Sequence, residues 1–261
     1  MLTENRCFYI EEMKDKILKV SFSATVLLFC LMSHAWTEEC KFIITNFSKG
    51  VDGDGVPMDW ELVEKAGSPI VKIKNENNGH SLHLISEKSS FGLKKNIYVD
   101  VKEYPYINFK WKVKELPENG DFRKKETDDQ AAQVYVVFGK FTFLSTIIGY
   151  IWENKTPQFT TGVSPAWSRS RIIVLESGSE KLGKWVMETR NIYEDYKKLF
   201  GKTPSNANFV TLYINSQHTK SRAESYFGEI YFSKSRKFES PIHEENQYKI
   251  NKAQCDEGNT Y

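Results

Sequence analysis

Ile107-Asn108-Phe109-Lys110-Trp111-Lys112-Val113 puts an apolar side chain at every odd position and a polar one at every even position. Successive side chains of a strand point to opposite faces, so this period reads as a strand with one face in a core and one in water. Ile97-Tyr98-Val99-Asp100-Val101, just upstream, alternates in the same way. Working outward, β-branched and aromatic runs recur at residues 42–44, 71–74, 81–85, 133–138, 147–152, 171–175, 209–215 and 225–233. Turn chemistry separates them, as in Gly50 to Pro57 and Asn77-Asn78-Gly79. About ten short strands without the long apolar strands and alternating helices of a doubly wound fold predict a mainly β protein, a jelly-roll-like β-sandwich.

One helix interrupts this pattern. Asn191 stands three residues before Glu194, a capping-box-like start. Ile192, Tyr196, Leu199 and Phe200 then fall on one helical face, and Gly201 supplies a stop. The spacing predicts a short helix over residues 192–200, lying across the sandwich.

The N-terminal region has a different character. Lys14, Lys16 and Lys19 lead into an apolar run over residues 20–32 that ends at Ser33-His34-Ala35. Basic start, short apolar core and small residues are the layout of a secretory signal peptide. The run is shorter than the about 20 residues a spanning helix needs, and it contains Ser21, Ser23 and Thr25. Residues 1–35 are therefore read as a signal peptide, with Met13 as an alternative start. Residues 36–233 are read as the sandwich and 234–261 as a polar tail. The expectation is export to the periplasm or the extracellular space, with no stable membrane span after cleavage. Cys7 and Cys30 lie before the cut; Cys40 and Cys255 remain. An even pair in an exported chain points to a disulfide stapling the two ends, with two free thiols as the alternative.

The net charge is +2, and the basic residues are scattered along the chain. Nucleic-acid proteins concentrate a basic excess on one face, so a nucleic-acid partner is not expected.

Two stretches carry a resemblance. One is Asp128-Asp129-Gln130-Ala131-Ala132-Gln133-Val134-Tyr135-Val136-Val137-Phe138. The other runs from Gly183-Lys184-Trp185 through Glu188, Arg190, Asn191, Asp195 and Tyr196 to Phe200-Gly201. Tyr150-Ile151-Trp152 and Tyr226-Phe227-Gly228-Glu229-Ile230 fit as well. Over residues 42–233 the chain resembles a family of exported bacterial proteins known as a domain of unknown function. The resemblance implies an envelope protein with a sandwich like those of carbohydrate-binding modules. Two departures stand out: the family pattern often has Arg where Gln133 stands, and an Asp-rich Asp-x-Asp-Asn-Thr where Asn215-Ser216-Gln217-His218-Thr219 stands. The stretch 215–219 is thus either an altered or a lost site.

Candidate site residues follow from spacing. Asp128 and Asp129 are adjacent on extended chain and point to opposite sides, so one can face a cleft while the other caps a turn. Glu188 and Arg190, two apart on a strand, share a face, with Trp185 and Met187 expected in the core behind them. Asp195 adds a third charge. Glu188, Arg190, Asp195 and Asp128 are taken as one cluster, with a structural ion network as the alternative. Trp111 is expected in the core, whereas Trp152 and Trp167 are expected to be exposed as sugar platforms. His80 and His83, three apart, point to opposite faces of a strand and do not share a metal. Asp52 and Asp54 read as a turn rather than a calcium loop. No nucleophile elbow, Walker loop or Rossmann fingerprint is present, and no cofactor is implied. These residues favour binding of a glycan or other envelope polymer. The alternatives are a polysaccharide-acting enzyme using Glu188 and Asp128, whose carboxylates would sit roughly 5–10 Å apart, and a structural or protein-binding envelope protein.

Overall fold

The computed structural model describes residues 41–76, 79–139 and 144–236. The expected signal peptide and the pair Cys40 and Cys255 lie outside the described residues. The described chain forms β1 (Lys41–Thr45), β2 (Glu61–Ala66), β3 (Ile70–Glu76), β4 (Gly79–Glu87), β5 (Ser90–Val99), β6 (Tyr106–Glu115), β7 (Ala132–Phe138), β8 (Thr146–Glu153), β9 (Thr161–Val163), β10 (Ser170–Ser177), β11 (Val186–Asn191), α1 (Ile192–Phe200), β12 (Ala207–Asn215) and β13 (Arg222–Ser233). Two sheets pack face to face as a jelly-roll-like sandwich. One is six-stranded in the order β11-β6-β13-β4-β3, with β1 also on β13; the other is seven-stranded in the order β2-β5-β12-β7-β8-β10-β9. β8 and β10 pair in parallel; the other pairings are antiparallel.

The alternation at residues 107–113 sets the core. Ile107, Phe109, Trp111 and Val113 are wholly buried on the inner face of β6. They meet Val134, Val136, Tyr150, Trp152, Leu212 and Ile214 of the facing sheet in one cluster. The Trp111 ring lies edge-on to Phe109 at 5.1 Å between centroids and 5.9 Å from Trp152. Aromatic pairs at such separations add to the area they bury.

Helix α1 follows its sequence signals. The Asn191 side chain accepts from Glu194 N at 3.0 Å, and Gly201, at φ 67°, donates its N–H to Lys197 O. Ile192, Asp195 and Tyr196 face inward.

Two expectations are corrected, and one strand appears that the sequence reading did not include. Trp152 is wholly buried: β8 runs on to Glu153, so Trp152 keeps the inward position of Ile148 and Tyr150 and donates Nε1–H to Gly178 O. Trp185 and Met187 lie on the outer face, while Glu188 and Arg190 turn inward. The alternation was right and the side was reversed, because β11 is an edge strand beside α1, where Asp195 offers a partner for Arg190. β2 was not anticipated: Glu61-Leu62-Val63-Glu64-Lys65-Ala66 has a charged composition, which suits an edge strand that must resist further pairing.

Candidate functional site

The outer face of the seven-stranded sheet brings the Asp128–Phe138 stretch beside the stretch 215–219 at the end of β12. On β7, Val134 and Val136 point into the core, so Gln133 and Tyr135 point outward; on β12, Leu212 and Ile214 point in, so Tyr213 and Asn215 point out. Tyr213 sits opposite Gln133 across the β7–β12 ladder, and the Tyr135 and Tyr213 rings are 6.3 Å apart, near edge to face. Both rings lie down over neighbouring strands because glycines leave room. A Cβ on Gly92 would fall 2.4 Å from Tyr213 Cδ2, and one on Gly149 would fall 2.5 Å from Tyr135 Cε1. Glycine inside a strand marks such a close approach. Tyr213 Oη is held by Ser90 Oγ at 2.7 Å, and Lys65 Nζ sits 5.5 Å over the Tyr213 ring.

Above this floor the two adjacent aspartates take separate roles. Asp129 is fully buried and locks the 215–219 turn: it accepts from Thr219 N at 2.7 Å and Thr219 Oγ1 at 2.8 Å, and pairs with His218 Nδ1 at 3.1 Å. Asp128 faces the tyrosines. Among the described residues its carboxyl takes one hydrogen bond, from Gln130 Nε2 at 3.2 Å. Desolvation pushes its pKa up to about 6, with Gln130 and His218 opposing and the charges of Asp129 and Glu153 assisting. Asp128 in turn raises the Tyr135 and Tyr213 phenols beyond what their burial does. Glu153 is committed elsewhere: its oxygens accept from Phe122 N at 3.0 Å and Asn154 N at 2.8 Å, tying down the loop that carries Asp128.

Asn215 uses its amide in both directions. Its Oδ1 accepts from Gln130 N at 2.9 Å and Gln133 Nε2 at 2.7 Å, and its Nδ2 donates to Asp128 O at 2.5 Å. Gln133 Oε1 accepts from Tyr135 Oη. Gln133 and Asn215, the two positions singled out in the sequence, are therefore each other's partners, a pair of neutral amides.

Glu188, Arg190 and Asp195 do lie together, but Asp128 is not with them. Arg190 forms a two-pronged pair with Asp195, Nε to Oδ2 at 3.0 Å and Nη2 to Oδ1 at 2.5 Å, and Tyr150 Oη donates to Asp195 Oδ2 at 2.8 Å. Arg190 and Asp195 also border a cleft of about 220 Å³ with Thr161, Ile173 and Lys198. Burial pushes the Glu188 pKa up to about 8; the Glu176 charge assists, while Lys181 and Arg190 oppose. The groups that act on Glu188 are not those that act on Asp128, so the two carboxyls belong to separate clusters. Trp167 is 40% exposed in the turn before β10.

Among the described residues no group of three His, Cys, Asp or Glu side chains is placed to hold a metal ion. Asp52 spends its carboxylate on Asp54 N and Val56 N, as a turn does. His83 on β4 pairs with Glu224 on the neighbouring strand β13 of the six-stranded sheet. No helix among the described residues is long and apolar enough to cross a membrane. Tyr135 and Tyr213 were missed as site residues. The signals were their polar-side positions opposite Val134, Val136, Leu212 and Ile214, and the glycines embedded in two strands.

Solved structures with a similar chain path include the family 11 carbohydrate-binding module of the Clostridium thermocellum cellulosomal cellulase Lic26A-Cel5E, at 9% identity and TM-score 0.43, covering 78% of this chain and 99% of that one. The family 30 carbohydrate-binding module of the Clostridium thermocellum cellulase Cel9D-Cel44B matches at 12% identity and TM-score 0.43, covering 76% of this chain and 99% of that one. The xyloglucanase domain of the Sinorhizobium fredii effector NopAA matches at 11% identity and TM-score 0.41, covering 75% of this chain and 95% of that one. No curated protein matches the sequence. The family described as "Protein of unknown function (DUF3047)" matches residues 59–231, which carry both motif stretches and nearly every strand of the sandwich, and the chain belongs to that family.

Proposed function

We propose that this is an exported, non-catalytic glycan-binding protein that holds uncharged sugar residues on the outer face of the seven-stranded sheet. The observation that carries the reading is the pair of tyrosine rings, Tyr135 half-buried and Tyr213 buried, laid over Gly92 and Gly149 beside half-buried Asp128 and the buried amides of Gln133 and Asn215. Sugars are amphipathic: their C–H faces pack on aromatic rings and their hydroxyls need fixed donors and acceptors. The Asp128 carboxyl, displaced to about 6, suits neutral hydroxyls better than anionic sugars. Export rests on the basic and apolar leader over residues 14–35.

A binding role is favoured over hydrolysis because glycosidases set two working carboxyls across one cleft. Here Asp129 and Glu153, the carboxylates that act on Asp128, are bonded to Thr219 and to backbone amides. The test is a thermal-shift and affinity-electrophoresis screen of the purified chain against soluble neutral glycans. A ligand that binds only the folded state at about 100 times its Kd stabilises it by roughly 2.7 kcal/mol, which is a measurable rise in Tm. The expected result is a shift that shrinks in Asp128→Ala and Tyr213→Phe. No shift across glucans, xylans and mannans would overturn the proposal. Turnover of a glycan that vanishes in Asp128→Asn would replace it with the hydrolase reading.

A further inference from the structure

The other side of the sandwich carries a different surface. Lys72 on β3 is opposite His83 on β4, His83 is opposite Tyr226 on β13, and Tyr226 is opposite Lys112 on β6. Trp185, the residue before β11, continues the row. The His83 and Tyr226 rings stack at 4.1 Å with 5° between their planes. Lys112 Nζ lies 4.4 Å from the Tyr226 centroid and 4.6 Å from that of Trp185, so an ammonium is held between two rings. Lys110, two residues back, reaches within 5.4 Å of the same Trp185 ring. Its stem lies over Gly228, where a Cβ would meet Lys110 Cε at 2.3 Å.

Lys74 and Lys114 extend the two outer rows, and both are exposed. Alternate residues on a strand are roughly 7 Å apart along the backbone, so β3 and β6 each present a row of lysines whose Cα atoms have that spacing. Glu224 lies within this face, but it is bonded to Arg222, His83 and Tyr226. Burial lowers the His83 pKa, Glu224 opposes this, and Lys74 and Lys72 add to the lowering. Lysines that are scattered in sequence are thus gathered onto one face.

We infer that the outer face of the six-stranded sheet binds a linear anionic polysaccharide, carboxylated or sulfated, whose charges meet Lys72, Lys74, Lys110, Lys112 and Lys114. This face is separate from the Tyr135 and Tyr213 floor and does not depend on the glycan reading of that floor. Polysaccharide is favoured over nucleic acid for two reasons. Tyr226 has His83 on one ring face and Lys112 on the other, so it offers no platform for a base. The surface is also a sheet face with no helix to enter a groove. A neutral polymer would gain nothing from five ammonium groups.

The experiment is affinity electrophoresis and calorimetry of the full chain with polygalacturonate, with dextran sulfate and with neutral dextran. The two anionic polymers distinguish carboxylate from sulfate recognition. Binding to at least one of them, none to dextran, and a loss of roughly tenfold or more between about 0.05 M and 0.3 M salt is the expected result. The double variant Lys72→Gln/Lys74→Gln, on exposed positions of β3, should weaken binding at least about fivefold, and Lys110→Gln similarly, with melting temperatures unchanged. Lys202→Gln, on an exposed loop elsewhere, should bind as the parent does. The inference fails if neither polyanion binds at low salt, or if the variants bind as well as the parent. It also fails if a single-stranded oligonucleotide of matched charge binds more tightly than either polymer, which would make nucleic acid the partner.

Discussion

Glu188→Gln should stabilise the protein, and the gain should grow with pH. The Glu188 carboxyl faces the sandwich interior at the β11 edge, where Oε1 has no hydrogen-bond partner among the described residues. Burial and the Glu176 charge displace its pKa from 4.5 to about 8. A carboxyl whose pKa is higher in the folded state binds its proton more tightly there. Its favourable contribution is full below 4.5 and is lost progressively as pH rises to about 8. One pKa unit is worth about 1.4 kcal/mol, so ionising the parent removes about 3 kcal/mol by pH 7 and about 5 kcal/mol above pH 8. Glutamine keeps the shape and cannot ionise. The variant should match the parent near pH 4, exceed it by about 3 kcal/mol at pH 7 and by about 5 kcal/mol at pH 9. Urea unfolding followed by tryptophan fluorescence at each pH measures this, and titrating groups that do not interact with Glu188 cancel in the difference. A stability difference that is flat from pH 4 to pH 9, or that grows in the opposite direction, would refute the reasoning.

Four further outcomes are expected. Asp128→Asn should behave likewise over a lower window: no gain near pH 4 and about 3 kcal/mol by pH 8, since the carboxyl moves from 3.8 to about 6; chemical denaturation at those two pH values checks it. Asp195→Ala strands a part-buried Arg190 and the Tyr150 hydroxyl, and should destabilise by about 3 kcal/mol in urea melts, most of which Arg190→Met in the same chain should restore. Gly149→Ala forces a methyl to 2.5 Å from Tyr135 Cε1 and 2.8 Å from Ile172 Cδ1, and should cost about 1–3 kcal/mol while weakening any glycan that rests on the Tyr135 ring. Gln133→Arg and Asn215→Asp should each destabilise alone and recover together, with a coupling of roughly 1–3 kcal/mol in a double-mutant cycle; additive effects would show that the two positions are independent.

Much of the fold was legible because its signals are local. The period of two at residues 107–113 and the capped helix at 192–200 both appear as expected, at β6 and α1. What failed was the choice of side. Around β11 the two alternating sets, Trp185 and Met187 against Glu188 and Arg190, differ in polarity, and it is the charged set that turns inward. Alternation then defines two faces without saying which is buried. Arg190 turned inward because Asp195 and Tyr150 wait there on α1 and β8. Trp152 was misjudged for a related reason: its position at the end of an apolar run suggested a strand terminus, but the strand continues through Glu153, whose oxygens are taken by backbone amides.

The chain's own sequence determined its class, its strand periodicity, its helix caps and the two motif stretches that mark the family. Those features depend on neighbours a few residues away, where propensity, capping and alternation act. Only the tertiary structure decided that Asp129 closes the turn at Thr219 while Asp128 faces the tyrosines. It alone paired Gln133 with Asn215 and gathered Lys72, Lys74, Lys110, Lys112 and Lys114 onto one face. Strand order joins residues tens of positions apart, and it is set by how whole sheets bury their apolar faces against each other, which no local pattern encodes.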